Sequence, residues 1–352
     1  MLRWPRSKCS FFPCSRTELP SLRTTVTELG TGLGMLGFGS LPEVIEQRPP
    51  VMVSVSPETW MLLERSYRAG GLNEEFESAW SNGRAFFQAK EGLRGRAPIS
   101  IEWKGSQRAP GDEVAPVDLR VDHVFLVSCK YLSRITINAS PFNLFDRLLE
   151  GGQGFRNADW FAHVARPEYE TLYQAVRRDL GNFGLPASVM DLQAEARRSM
   201  ASALAGHWPT SVLAELESFV SAVSRSSAQL WRDRVSTTRD AERLLWRMLR
   251  IGSAPYFVLG TSSTDSIRLR VATPWDWRLD YRLKAFEISP QAGGQPRVAW
   301  RALVDSHHSG TTVSVEGHIE IRWAHGRFGG FPEAKVYLDT PHRDVPGYYP
   351  LI

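Results

Sequence analysis

Apolar and polar positions change period along this chain, and the changes divide it into parts. The clearest pattern lies at residues 115–131, A-P-V-D-L-R-V-D-H-V-F-L-V-S-C-K-Y. It predicts two strands, Val117–Val121 and Val124–Tyr131, joined by a tight turn at Asp122-His123. Val124, Phe125, Leu126 and Val127 form an unbroken apolar run, the pattern of a strand covered on both faces. Upstream, Val51–Val55 and Ile99–Lys104 read as further strands. Between them Pro57 opens a helix over Glu58–Ala69 that Gly70-Gly71 ends. Asn73 then caps a second helix, with Phe76, Trp80 and Phe87 in a stripe at helical spacing.

Downstream, Ser140-Pro141 caps a helix over Phe142–Leu149. From Asp159 to Ile251 the pattern is mostly helical. Tyr256–Gly260 reads as a buried strand again. From Ile267 the period is two, over Ile267–Val271, Tyr281–Ile288, Val298–Val304, Thr311–Val315, His318–Trp323 and Lys335–Leu338. The predicted organisation is a flexible or irregular N-terminal arm at 1–50, the first part of an α/β core at 51–150, a helical insertion at 151–252, and the last core strands with a β-rich C-terminal part at 253–352.

Composition is globular, with 42% hydrophobic and 23% charged residues, and no apolar run is long enough to cross a bilayer, so no membrane partner is expected. A net charge of +4 and a pI near 9.0 permit a nucleic-acid partner without requiring one. Of 42 basic residues only six are Lys, and one of them, Lys130, follows an apolar strand run. Cys9, Cys14 and Cys129 make no disulfide or metal framework. Phe11-Phe12 runs at once into Pro13, leaving no signal-peptide core, so a cytoplasmic location is expected.

Lys130 is the residue that asks for an explanation. With a period of two, Ser128 and Lys130 share one face, and an ammonium inside a sheet is costly unless it meets negative charge. If the turn is centred on His123, Asp118 lies directly opposite Ser128, with Lys130 one step along the same face. That register needs an odd loop of three or five residues, because an even loop would turn Asp118 to the other side.

The order Pro116-Val117-Asp118 followed by Ser128-Cys129-Lys130 resembles the PD-(D/E)XK nuclease superfamily, with Ser128 where the acid of the second half usually stands. The resemblance implies an α/β (α+β) fold: a restriction-endonuclease-like central mixed sheet flanked by helices, built as helix, three-strand meander, helix and further strand. It implies a metal-dependent DNA endonuclease, of a kind that includes restriction and phage-defence enzymes, acting on double-stranded DNA. Asp118 would bind Mg²⁺, with Mn²⁺ as substitute, together with the Cys129 carbonyl. Lys130 would hold the attacking water or steady developing charge. Ser128 supplies no charge, so a further acid is expected: Glu77 on the upstream helix, also a metal-ligand candidate, or Glu102 on the neighbouring strand. A homodimer would let one site per chain cut both strands.

Rival readings stand beside this one. Glu102-Trp103-Lys104 is a second E-x-K string, but its upstream acid would have to be Glu91 in a Gly- and Arg-rich loop. Gly32, Gly34 and Gly37 satisfy GxGxxG without the long helix that a dinucleotide loop needs; an irregular arm is the preferred reading. Arg134 beside the site, and Arg322, His325 and Arg327 in the stretch R-W-A-H-G-R-F, are the candidates for nucleic-acid contact. His318 and His325 would point to opposite faces of a regular strand, against a shared metal. Two other functions remain open: a nucleic-acid-binding protein that keeps the nuclease-like fold without chemistry, and an unrelated α+β protein in which Asp118 and Lys130 form a structural pair.

Overall fold

The computed structural model describes residues 21–105, 117–131, 135–146, 159–181, 184–261, 266–291 and 293–352. Pro116 and Arg134 lie outside the described residues, as do the candidate arm's first twenty. Among the described residues no helix is long and apolar enough to cross a membrane.

The first half runs α1 (Leu22–Gly34), α2 (Leu41–Gln47), β1 (Met52–Val53), α3 (Pro57–Ala69), α4 (Asn73–Gln88), β2 (Ile101–Trp103), β3 (Leu119–Val121), β4 (Phe125–Tyr131) and β5 (Ile135–Ala139). A helical section follows: a π-helical turn at Phe142–Asp146, then α5 (Trp160–Val164), α6 (Arg166–Asp179), α7 (Ala194–Ala203), α8 (Leu213–Arg234) and α9 (Thr238–Met248). The last third is β6 (Tyr256–Thr261), β7 (Ser266–Val271), α10 (Pro274–Asp280), β8 (Tyr281–Gln291), β9 (Arg297–Ser306), β10 (Thr312–Trp323), β11 (Pro332–Leu338) and β12 (Tyr348–Pro350).

The strands form two sheets. The first is mixed, in the order β1-β2-β3-β4-β6-β7-β12. Strands β2, β3 and β4 are an antiparallel meander, β6 lies parallel to β4, and β7 is antiparallel to β6. The second sheet is antiparallel, in the order β5-β11-β10-β9-β8.

Alternation along the strands gives the mixed sheet two buried faces. Ile101, Trp103, Leu119, Val121, Val127, Phe257 and Leu259 face a core shared with Val26, Leu29 and Leu33 of α1 and Phe76 and Phe86 of α4. Tyr256, Val258, Leu269 and Val271 face the other way, into a larger core that α5–α9 share with the second sheet. In that second sheet Val298, Trp300, Ala302 and Val304 of β9 are buried in strict alternation and pack beneath α8, leaving the opposite face polar.

The N-terminal stretch corrects one expectation. Residues 22–47 are not an irregular lead-in: they form two helices, and α1 is almost wholly buried. Its glycines are contact residues. A Cβ at Gly30 would stand 2.9 Å from Ala79 Cβ, and one at Gly34 would stand 3.0 Å from the Gly83 Cα of α4. Close approach of two helix backbones needs small residues at the crossing, so the glycine spacing encodes helix packing and not a dinucleotide loop.

Other boundaries shift for local reasons. The helix expected over Phe142–Leu149 is a π-helical turn as far as Asp146, where the described residues stop. The two strands expected at 311–323 are one, β10, because Gly317 continues the ladder with Trp300 packed over it. Trp275-Asp276-Trp277-Arg278 is the short helix α10, closed by a capping box between Thr273 and Asp276, with Trp277 buried and Trp275 exposed.

Candidate active site

The hairpin β3–β4 has the register that the sequence pattern demands. Leu119, Arg120 and Val121 pair with Val127, Leu126 and Phe125, so Asp118 falls opposite Ser128. The loop is the odd one required: Asp122, His123 and Val124, with Asp122 and His123 in the left-handed region at φ 50° and 62°. Asp122 holds this turn by accepting from Ile99 N (2.6 Å), Ser100 N (3.3 Å) and the Arg96 guanidinium.

At the other end of the hairpin the ladder opens. The Asp118 N–H donates to Val127 O rather than to its register partner, and the Asp118 carboxylate fills the gap. Its Oδ2 accepts the Cys129 N–H at 2.6 Å and the Ser128 hydroxyl at 3.2 Å. Both bonds fall on one oxygen, and among the described residues Oδ1 accepts none. Charge-assisted bonds of this kind hold the carboxylate rigid against the strand.

Lys130 follows one step along the same face. Burial draws its pKa below the ordinary lysine range; the Asp118 charge opposes that shift and the nearby Arg250 charge adds to it. Among the described residues Lys130 makes no ion pair within bonding distance. Its strand neighbour is Gly260 of β6, where a Cβ would stand 2.7 Å from Lys130 Cβ. Glycine at that position is what admits the lysine stem between the two strands.

The surroundings are cationic. Lys104 sits across from Asp118, its N–H donating to the Asp118 carbonyl. Its side chain, with 10% of its area exposed, pairs with Glu102 at 2.9 Å. Arg120 also approaches Glu102, at 3.6 Å. Arg250 is 7% exposed and donates from Nε (2.9 Å) and Nη2 to the Thr136 carbonyl of β5. The Tyr256 phenol adjoins Ser128; burial raises its pKa while Arg250 and the Ser128 hydroxyl pull it back. Among the described residues Lys104, Arg120, Lys130 and Arg250 thus lie near Asp118 and Glu102.

The predicted residues divide accordingly. Asp118, Ser128, Cys129 and Lys130 come together. Glu102 shares their face but is taken up by Lys104 and Arg120. Glu77 does not join them: α4 packs on the opposite face of the sheet, and Glu77 is exposed there. The rival E-x-K frame lacks its acid, since Glu91 Oε2 accepts from Ile352 N at 3.2 Å. The tip expected to touch nucleic acid is largely committed within the protein. Arg327 donates to the Leu204 and Gly206 carbonyls at 2.6 Å and lies over the Trp208 ring, and Arg322 pairs with Glu333 at 3.0 Å. His325 alone of the three is exposed.

Sequence reading missed a carboxylate. Glu28 of α1 is buried, accepts Trp103 Nε1 at 2.6 Å, and its charge reaches both Cys129 and Lys130. The signal was present, since Val26, Leu29, Leu33 and Leu36 recur at helical spacing, but three glycines obscured it. Burial and the Asp118 and Glu28 charges raise the Cys129 thiol well above its ordinary pKa, which favours the neutral thiol over the thiolate.

Among the described residues no group of three or more His, Cys, Asp or Glu side chains is disposed to hold a metal ion. Asp118 Oδ1 remains as one fixed carboxylate oxygen. That donor fits Mg²⁺ bound through one carboxylate, water and substrate phosphate, and does not fit a cage built from protein alone. No family model, no curated protein and no solved structure matches the chain.

Proposed function

We propose that this chain is a metal-dependent endonuclease that hydrolyses phosphodiester bonds in double-stranded DNA, with a restriction-endonuclease-like core. The observation that carries the proposal is the constellation at the open end of the β3–β4 hairpin. A half-buried lysine stands beside a fixed aspartate, and no described carboxylate forms an ion pair with it. A structural salt bridge would close that distance, because a charge drawn out of water is best tolerated when directly paired. The strand order supports the same reading: helices, an antiparallel meander, a helical section, and a further strand parallel to the meander's third.

Asp118 would hold Mg²⁺ or Mn²⁺ through Oδ1, and the resemblance adds the Cys129 carbonyl. When bound, the ion would supply Lewis-acid activation of water and of the phosphate. The remaining roles belong to the chain. The Cys129 N–H and Ser128 hydroxyl keep the Asp118 carboxylate aimed. Lys130, with its lowered pKa, is suited to take a proton from an attacking water or to neutralise charge gathering on the phosphorus oxygens. The cations around it favour a polyanion.

A second reading is favoured by Ser128. A hydroxyl supplies no charge where a second acid would bind metal, so the same fold could bind DNA without cutting it. Plasmid cleavage with Mg²⁺ and with Mn²⁺ separates the two, run beside Lys130→Ala and Asp118→Asn with thermal melts as folding controls. Nicking that both folded variants lose by about 10²-fold or more supports the enzyme. Gel retardation without any cutting transfers the proposal to the binding protein.

A further inference from the structure

Helix α9 divides its residues sharply between two sides. Ala241, Leu244, Leu245 and Met248 are buried in the larger core. On the opposite side Arg239, Arg243 and Arg247 follow one another at intervals of four, the first two exposed and the third half-buried. A rise of about 1.5 Å per residue makes this row about 12 Å long. Like charges four apart on a helix repel, so the row costs helix stability.

The two acids of α9 are engaged beside the row. Asp240 accepts the Thr237 hydroxyl at 2.6 Å and the Ser236 hydroxyl at 3.3 Å, at the start of the helix. Glu242 accepts Nε (3.2 Å) and Nη2 (2.6 Å) of Arg278 from α10, and that guanidinium lies 4.7 Å from the centre of the Trp246 ring. Among the described residues Arg239 and Arg247 form no ion pair. Burial and the Arg243 charge draw the Arg247 pKa below the ordinary arginine range.

The far end of α9 rests on the face that carries the candidate site. Tyr348 donates its hydroxyl to Leu249 O at 2.9 Å. Tyr348, Val271, Tyr256 and Leu126 form one row across the sheet, and Ser128 and Lys130 rise from the same face as Leu126. Arg250, next in the chain, donates to the Thr136 carbonyl, and its charge reaches Lys130. The arginine row therefore leads along α9 to the site.

We propose that this ridge is the surface on which a DNA duplex lies beside the candidate site, with Arg239, Arg243 and Arg247 against the phosphates of one strand. The proposal rests on the phosphodiester reading given above and adds a docking track that reading does not contain. Phosphates of one strand are spaced about 3.4 Å apart along the duplex axis, so a ridge of about 12 Å spans three to four of them. Arginine suits the contact because its planar fork matches phosphate oxygens and its charge is permanent.

The test measures the affinity of the full-length protein for a labelled DNA duplex over a KCl series in EDTA, which keeps the duplex intact. Wild type is compared with the triple variant Arg239→Gln/Arg243→Gln/Arg247→Gln and with the pair Arg239→Gln/Arg243→Gln, which leaves the half-buried Arg247 in place. The control is Arg65→Gln/Arg68→Gln/Arg94→Gln, which removes the same charge from exposed positions on the α1–α4 side of the mixed sheet. Thermal melts check that each variant is folded. Each lost phosphate contact lowers the slope of log affinity against log salt by about 0.9, so the slope should fall by about 2.7 in the triple variant and about 1.8 in the pair. The control should keep the wild-type slope. A folded pair that keeps the wild-type slope, or a control that lowers it equally, overturns the ridge; plasmid cleavage by wild type would then leave the nuclease reading standing. A wild type that does not bind the duplex also overturns the ridge, and if it cuts no plasmid either, the phosphodiester reading falls with it.

Discussion

Gly260 offers the sharpest test of how the site is assembled. In β6 it faces Lys130 of β4, and a methyl group there would meet Lys130 Cβ at 2.7 Å and its carbonyl carbon at 2.9 Å. Two effects oppose each other in Gly260→Ala. Alanine removes freedom from the unfolded chain, which stabilises by about 0.4–1 kcal/mol where the native backbone accepts it. Overpacking against a neighbouring backbone costs about 1–3 kcal/mol, and no rotamer change relieves a clash with main chain. The clash should win, giving net destabilisation of about 1–2 kcal/mol. The strands part where Lys130 must be held, so activity should fall further than stability alone explains. Urea unfolding followed by circular dichroism measures the first effect and plasmid cleavage the second. Gly206→Ala is the control, since nothing lies within 4 Å of the added methyl group. Equal unfolding midpoints for the two variants would refute the claim that Gly260 makes room for the lysine.

Further outcomes follow from other contacts. Gly83→Ala should destabilise the α1–α4 pair despite alanine's better helix propensity, because the new Cβ meets the Gly34 Cα at 2.8 Å; a raised melting temperature would contradict the packing role of these glycines. Trp103→Phe strips the indole N–H from the buried Glu28 carboxylate and should cost about 1.5–3 kcal/mol in chemical denaturation, whereas an exposed tryptophan such as Trp275 should tolerate the change. Burial alone would raise the Asp122 pKa, but the Arg96 guanidinium and the Ile99 and Ser100 N–H groups hold it below the usual carboxylate range. A carboxylate lowered on folding adds stability above its unfolded pKa of about 4, and that stability is lost as pH falls through the lower folded value. Acid titration of Asp122→Asn should therefore show a shallower loss of stability between about pH 4 and pH 2 than wild type.

How much could be read in advance depended on the range of the interaction. The hairpin register was legible because period two and an odd loop leave one way to bury Val121 and Val127 while keeping Asp118 beside Ser128. The helical section and the last strands were legible for the same local reason. Glu77 was chosen on its place in an amphipathic helix, and the structure sets it apart from Asp118 because periodicity gives a helix its inner side without saying which face of the sheet receives it. Arg327 is a different case: a loop rich in cations and glycine looks exposed in sequence, yet two carbonyls at the end of α7 hold the guanidinium.

The sequence by itself determined the alternation that makes strands, the spacing that makes helices, and the four residues Asp118, Ser128, Cys129 and Lys130 that meet within one hairpin. These are consequences of neighbours a few residues apart, and backbone geometry relates them directly. Tertiary structure decided the rest. It turned the glycines of residues 30–34 into a helix crossing, brought buried Glu28 within range of Lys130, and carried Arg250 over the site from more than a hundred residues away. No local period encodes such contacts, because they depend on which surfaces the packed layers bring together.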